Sequence, residues 1–332
     1  MTHLAVNVNA RLLNTIAATL LIANSNSNLY AGDSTEASLE TVAVTASRVP
    51  QPIANSASSL SLVDPFSLTQ VSHNHIQQSL SRVAGVWASR GNGQEHLTAI
   101  RSPVLTGAGS CGAFSVSEDG IPVRPTGFCN VNQLFDINSE QAGRIEVLRG
   151  PGTVLHGSDA MHGVINVISA APSNQLENQL SLEAGANDYY RSKYSISDRQ
   201  GRHSYRLSIN GSSDGGYKDD SGYDQQKLSL RHDYQGIALS AQTLFSASNL
   251  NQETAGYIAG KNAYKEDDRK QQNPNPEAFR DSQAYRLQSQ LVKNLDNGGQ
   301  FIVTPFARYS EMDFLMHFLP GTPLEQNGQK SI

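Results

Sequence analysis

The sequence predicts a mixed α/β domain followed by part of a large antiparallel transmembrane β-barrel, cut short of closure. Three observations lead there. The chain has 332 residues, enough for two domains, and its grammar changes after Pro172. Before that point short strand-like and helix-like segments mix; after it come alternating polar and apolar segments. The connections between those later segments are mostly short turns on one side and long polar loops on the other, as in a membrane barrel. An apolar content of 38% is low for a soluble globular protein. A membrane barrel tolerates it, because only every second side chain meets lipid and the interior stays polar. The net charge of −5 offers no basic stripe for nucleic acid.

Residues 1–31 are expected to be a secretory signal. "RLLNTIAATLLIANSNSNLYA" sets an apolar core, Leu12 to Ala23, between Arg11 and a polar stretch, with cleavage expected after Ala31. The core is too short to cross a bilayer as a helix. A disordered N-terminal arm is the alternative. Residues 32–60 are rich in Ser, Thr and Ala and read as flexible, around one strand-capable island, "ETVAVTASR", Glu40 to Arg48. Such an island can add itself to another protein's sheet edge, or simply be a first strand.

Residues 61–171 read as the mixed domain. "SHNHIQQSLSRV" has a candidate cap at Ser72, with Ile76, Leu80 and Val83 spaced for one helical face. In "FSVSEDGIPV" the Asp119-Gly120 pair predicts a hairpin turn. "RIEVLRGPGTVLHGSDAMHGVINVIS", residues 144–169, joins two β-favouring runs through Gly150, Gly152, Gly157 and Gly163. Cys111 and Cys129, the two cysteines of the sequence, are expected to pair if the chain is exported. Closing so short a loop stabilises by about 3 kcal/mol on chain entropy alone. Two metal ligands are the alternative, but the spacing matches no compact zinc knuckle.

Residues 172–332 read as the N-terminal part of the barrel. Seven candidate strands can be drawn: "QLENQLSLEAG", "YYRSKYSISD", "SYRLSING", "QQKLSLRHDY", "GIALSAQTLFS", "SQAYRLQSQLVKN" and "QFIVTPFARYSEM". Seven strands leave an unpaired edge that lipid does not tolerate, so more strands are expected. A soluble sandwich or periplasmic barrel is the competing architecture.

No enzyme chemistry or cofactor is expected. The glycine cluster lacks the lysine-serine ending of a phosphate cradle. His73 and His75 alternate, and His156 and His162 are near neighbours in sequence, but no carboxylate–histidine motif completes a metal ligand set. No nucleophile, base and orienting group can be drawn together without arbitrary choices.

Taken together, the segments resemble a TonB-dependent outer-membrane receptor: signal peptide, TonB box, plug domain and first barrel strands. "ETVAVTASR" resembles the box region, and "LTAIRSPVLTGAGSCGAFSVSEDGIPV" the central plug segment. The stretch from Arg144 to Ser169 resembles the plug's C-terminal signature, with His156 where tyrosine is usual. "HFLPGTP", residues 317–323, resembles an internal barrel segment, while the cysteine-bearing stretch around "PTGFCN" departs from the pattern. Barrels of this kind have about 22 strands, so roughly a third of one is written here.

The resemblance implies that Glu40, Thr41, Val42, Ala43, Val44 and Thr45 bind TonB, which works with its ExbB-ExbD energising complex. It makes Arg101, Asp119, Gly120, Arg144, Glu146, Arg149, Gly150, Gly157, Gly163 and Asn166 the plug signature. Arg144, Glu146 and Arg149 are then candidates for salt bridges within the plug or to the wall, with surface placement the alternative. It also implies residence in the outer membrane of a Gram-negative bacterium with the box facing the periplasm, lipid contact, and a monomer when complete. The expected activity is energised uptake of a scarce small molecule or metal chelate such as a ferric siderophore, haem or cobalamin. Tyrosines and charged residues in "DGGYKDDSGYD" and "GYIAGKNAYKEDDRK" are candidates for ligand contact, with solvated loop residues the alternative. An exported β-rich surface binding protein without transport is the second reading.

Overall fold

The computed structural model describes residues 42–43, 51–107, 111–125, 132–152, 154–157, 159–315 and 326–331, the last six by backbone alone. The expected signal segment, Glu40, Thr41, Val44, Thr45, Cys129 and the "HFLPGTP" stretch lie outside the described residues. Of the expected box, Val42–Ala43 forms a two-residue strand, β1, antiparallel to β2, Gln51–Pro52.

The N-terminal domain is built on a five-stranded sheet. Its strands are β3 (Ser59–Val63), β6 (Ser115–Glu118), β7 (Ile121–Pro122), β8 (Ala142–Arg149) and β9 (Gly163–Ser169). Their order is β3-β8-β9-β6-β7, with β6 and β9 parallel and the other neighbours antiparallel. β9 is flanked on both edges and covered on both faces, so "GVINVI" is buried without alternation. Between β3 and β6 run two helices, α1 (Pro65–Val71) and α2 (Gln77–Leu80), and the paired strands β4 (Val86–Ala88) and β5 (Thr98–Ile100). Leu68, Ile76, Leu80 and Val83 pack with Ile145, Val147, Ile165 and Val167 in one apolar core.

The expected helix start at Ser72 needs correction. Helix α1 begins one turn earlier, where Asp64 accepts from the Ser67 amide at 2.7 Å and Pro65 occupies the first turn. Ser72 instead ends α1, in the left-handed region at φ 41°, with its amide donating to the Leu68 carbonyl. Only a single short turn, α2, follows it. The apolar face nonetheless forms: Ile76, Leu80 and Val83 are all buried.

Asp119 and Gly120 both take positive φ, 46° and 82°, as the tight turn joining β6 to β7 requires. In the glycine-rich connection, Gly150 and Gly157 also take positive φ, 102° and 77°. Gly163 answers to space instead: a Cβ there would lie 2.5 Å from the Leu148 carbonyl oxygen.

After residue 172 the chain runs as a meander. Its strands are β10 (Glu177–Ala184), β11 (Tyr190–Gln200), β12 (His203–Asp214), β13 (Tyr223–Gln235), β14 (Leu239–Gln252), β15 (Arg280–Asn294), β16 (Gln300–Val303), β17 (Phe306–Leu315) and β18 (Gln326–Ser331). Each sequential pair is antiparallel, except that β16 and β17 both lie against β15. Among the described residues nine strands therefore replace the seven expected. The last candidate breaks at Pro305, which has no amide to donate, while the register with β15 continues unchanged across the break. β18 is the other addition. The sheet is open, with β10 and β18 at its edges.

The two faces of this wall differ in kind. Ser195, Ser208, Lys227, Ser246, Ser248, Ser282 and Arg286 are buried on one face. Leu180, Leu182, Ile209, Leu230 and Leu287, at alternate positions, are exposed on the other. No helix among the described residues is long and apolar enough to cross a membrane.

Candidate functional site

The polar face of the wall carries the N-terminal domain, here called the plug. Cations come chiefly from the wall and carboxylates from the plug. Arg286 of β15 donates from Nε to Glu118 of β6 at 2.9 Å and from Nη2 to the Asp136 carbonyl at 2.7 Å. Both side chains of this ion pair are 4% exposed. The Ser246 hydroxyl adds a 2.7 Å bond to the same Glu118 oxygen. Lys227 of β13 reaches both oxygens of Glu140, at 2.8 and 3.1 Å. Arg280, at the start of β15, pairs with Glu95 of the β4–β5 tip at 2.8 Å. Buried charges so placed are paired and hydrogen-bonded, as their desolvation demands.

A second group of contacts uses main-chain acceptors. Arg191 of β11 donates to the carbonyls of Ser72 and His73, where α1 ends, and pairs with Glu183 on β10. Lys193 donates to the Ser72 hydroxyl at 2.8 Å. Two cations thus sit at the negative end of α1. Toward the short-turn end of the wall, Arg231 donates to the Ser169 carbonyl at 2.8 Å, and Gln242 to Asp119 at 3.0 Å. Apolar contact is small by comparison. Among the described residues one buried apolar cluster bridges plug and wall: Phe135 with Tyr223 and Leu250.

Burial sets the protonation of this seat. It lowers His73 and His75 to about 4 and His96 to about 3, so all three are neutral at ordinary pH. His73 lies between the hydroxyls of Ser79 and Ser139, at 2.9 and 3.1 Å. His75 accepts from the Gln77 amide on Nδ1 and donates from Nε2 to the Glu95 carbonyl. Burial also raises Asp119 and Asp136, and Arg231 and Arg286 offset it only in part. Burial acts to raise Glu140 too, but there the charge and hydrogen bonds of Lys227 outweigh it and hold the carboxyl below its usual range.

The residues singled out in the sequence fall in several places. Asn166 is buried, and its Oδ1 accepts from the Ser117 hydroxyl at 3.0 Å and the Gly120 amide at 2.9 Å, tying β9 to the β6–β7 turn. Asp119 accepts from the Ser169 amide at 2.9 Å and so locks the same turn to the end of β9. Arg144 pairs with the fully buried Glu146 at 2.7 Å, inside the plug. Arg149 donates to the Ala84 carbonyl at 2.7 Å, and Arg101 to the Ser59 hydroxyl at 3.3 Å. Among the described residues neither reaches a carboxylate. Cys111 is disulfide-bonded, while Cys129 lies outside the described residues.

Arg191, Lys227, Arg280 and Arg286 went unnoticed in the sequence. Their signal was there: each occupies a position in phase with serines and glutamines on one face of an alternating strand. Such a pattern equally suits a solvated face, and only strand register against the plug tells the two apart.

Comparison with known proteins bears on the same residues. Residues 52–164 match the model of the TonB-dependent Receptor Plug Domain. The chain is 27% identical over 225 residues to the vitamin B12 transporter BtuB of Vibrio vulnificus, covering 65% of this chain and 34% of that protein. It is 30% identical over 152 residues to BtuB of Vibrio cholerae, covering 45% of this chain and 24% of that one. It therefore spans about a third or less of the length of these relatives. Among solved structures, the ferripyoverdine receptor of Pseudomonas aeruginosa superposes with a TM-score of 0.68 at 16% identity, over 87% of this chain and 40% of that one. The ferric preacinetobactin receptor BauA of Acinetobacter baumannii gives 0.68 at 12% identity, over 83% and 41%. At such identities the likeness speaks for the fold, a plug followed by antiparallel barrel strands. With residues 52–164 matching the plug domain of TonB-dependent receptors and antiparallel strands behind them, the chain is similar to the N-terminal part of such receptors.

Proposed function

We propose that this chain supplies the plug and opening barrel strands of an outer-membrane receptor for TonB-energised uptake of a scarce substrate, such as a ferric siderophore, haem or cobalamin. One observation carries the reading. The plug has its own apolar core, yet it meets the wall through ion pairs and hydrogen bonds with little apolar contact. A seat of that kind holds the plug in one register and can be left without exposing a large apolar surface. A module meant to stay in place permanently is better served by an apolar interface.

The rest of the reading rests on the likeness to TonB-dependent receptors. The exposed leucines of the wall face outer-membrane lipid, and the box faces the periplasm. There TonB, driven by ExbB-ExbD, pairs with the strand around Glu40, Thr41, Val42, Ala43, Val44 and Thr45. Val42 and Ala43 are already extended against Gln51 and Pro52, so the segment is prepared for edge pairing. Cys111 pairs with Cys129. Cobalamin and ferric siderophores head the substrate classes because the relatives named above include a vitamin B12 transporter and a ferripyoverdine receptor.

The test is Val44→Pro in a receptor with its complete barrel. Proline removes a donor and fixes φ, so edge pairing fails. Binding of radiolabelled substrate to de-energised cells should persist, while accumulation in energised cells is abolished; Val44→Ala should do much less. Normal accumulation by the proline variant would remove the box assignment. Binding without accumulation by the wild type would favour a surface binding protein.

A further inference from the structure

Outside the plug seat, the lipid-side face of the wall carries a compact group of rings that transport does not explain. His203 opens β12 directly after the Gly201–Arg202 turn, and His232 lies on β13. In the register between these strands His203 stands opposite Tyr234, and Tyr205 opposite His232. All four side chains therefore project from the same face, at the short-turn end. His203 Nδ1 lies 3.0 Å from His232 Nε2, with the two ring planes 6° apart. The Tyr234 ring is centred 5.0 Å from His203, and the Tyr205 ring 4.7 Å from His232.

We propose that His203 and His232 form a two-imidazole site for a divalent transition metal, with Cu2+ preferred. Imidazole nitrogens bind such metals at about 2.0–2.1 Å. For two nitrogens 3.0 Å apart, that length corresponds to a nitrogen–metal–nitrogen angle of roughly 94°. This is the angle between neighbouring ligands of a square-planar or tetragonal ion, hence Cu2+ or Ni2+, and is narrower than tetrahedral Zn2+ favours. Moving the bridging proton to the far nitrogen of its ring, with a turn of each ring that keeps the two nitrogens about 3 Å apart, converts the present hydrogen bond into a chelate. His203 is exposed and free to make it. Each histidine binds through one nitrogen and keeps its proton on the other, so neutral imidazoles need lose no proton. Water completes the coordination. Tyr205 and Tyr234 flank the pair and limit its rotamers, which lowers the ordering cost. A metal held there clips β12 to β13 on the outside of the wall, away from any route past the plug.

The experiment uses an untagged receptor with its complete barrel in detergent, titrated with cupric, nickel and zinc chlorides. Cu2+ should bind at one site with a two-nitrogen equatorial signature in electron paramagnetic resonance and raise the melting temperature. His203→Phe and His232→Phe, which keep an apolar ring on the lipid side, should each weaken copper binding at least tenfold and abolish that two-nitrogen signature. Nickel should bind more weakly than copper, and zinc should not exceed nickel. Copper binding that survives both substitutions, a one-nitrogen spectrum in the wild type, or zinc binding tighter than copper would each overturn the assignment. None of these readouts depends on uptake.

Discussion

Arg286→Met is the most direct probe of the plug seat. In the native structure Glu118 is held by the Arg286 guanidinium and the Ser246 hydroxyl, with both charged side chains 4% exposed. Methionine fills much of the volume but leaves a buried carboxylate with one hydroxyl for a partner. It also strips the Asp136 carbonyl of its donor. Breaking a buried pair from one side costs about 3–5 kcal/mol. At about 1.4 kcal/mol per tenfold, the detached plug gains roughly two to three and a half orders of magnitude in population. A cysteine placed at Ser248, buried on the wall face beneath the plug, reads that change as its protection from a thiol reagent in a receptor with its complete barrel. The double variant Glu118→Gln/Arg286→Met removes both charges and should recover protection to within about 1 kcal/mol of wild type, since an uncharged pair of similar volume is often neutral. If the single variant is labelled no faster than wild type, the pair is not holding the plug. If the double variant is no better than the single one, the loss is one of packing, and the electrostatic argument fails.

Three further outcomes follow from the same geometry. Gly163→Ala forces a Cβ to within 2.5 Å of the Leu148 carbonyl and 2.9 Å of Ile100, and should cost about 1–3 kcal/mol in plug stability by denaturant titration. Gly157→Ala, where space is open but φ is 77°, should cost only about 1–2 kcal/mol. Asp64→Ala removes the cap of α1 and should cost about 1 kcal/mol, with Asp64→Asn largely sparing it; equal losses would deny the capping role. The third outcome concerns pH. His73, His75 and His96 titrate near 6.5 when unfolded but at about 4, 4 and 3 when folded. Between those values the unfolded plug binds protons that the folded plug does not, so stability is full above about pH 6.5 and falls toward pH 4. Asp119 and Asp136, raised by burial, return part of it by protonating early. The melting temperature should drop over that window, and His73→Gln should flatten the drop. A flat wild-type profile would refute the neutral, buried assignment.

Much of the architecture is local and was legible as such. The Asp119-Gly120 turn and the first six wall strands follow from dihedral preference and period-two alternation, which neighbouring residues set among themselves. Alternation also separates the serine-rich face from the leucine-bearing one. Other features were written locally but outweighed: Asp64-Pro65 is as plain a helix start as Ser72, and Pro305 a plain break. What the sequence could not decide is pairing between distant segments. Arg286 and Glu118 are 168 residues apart, and Lys227 and Glu140 are 87 apart, so no local pattern distinguishes a buried partner from a solvated charge. The same holds for His203 and His232, which become neighbours only through the β12–β13 register. Strand register and the docking of the plug bring these groups within hydrogen-bond reach, and burial there turns ordinary surface residues into a seat.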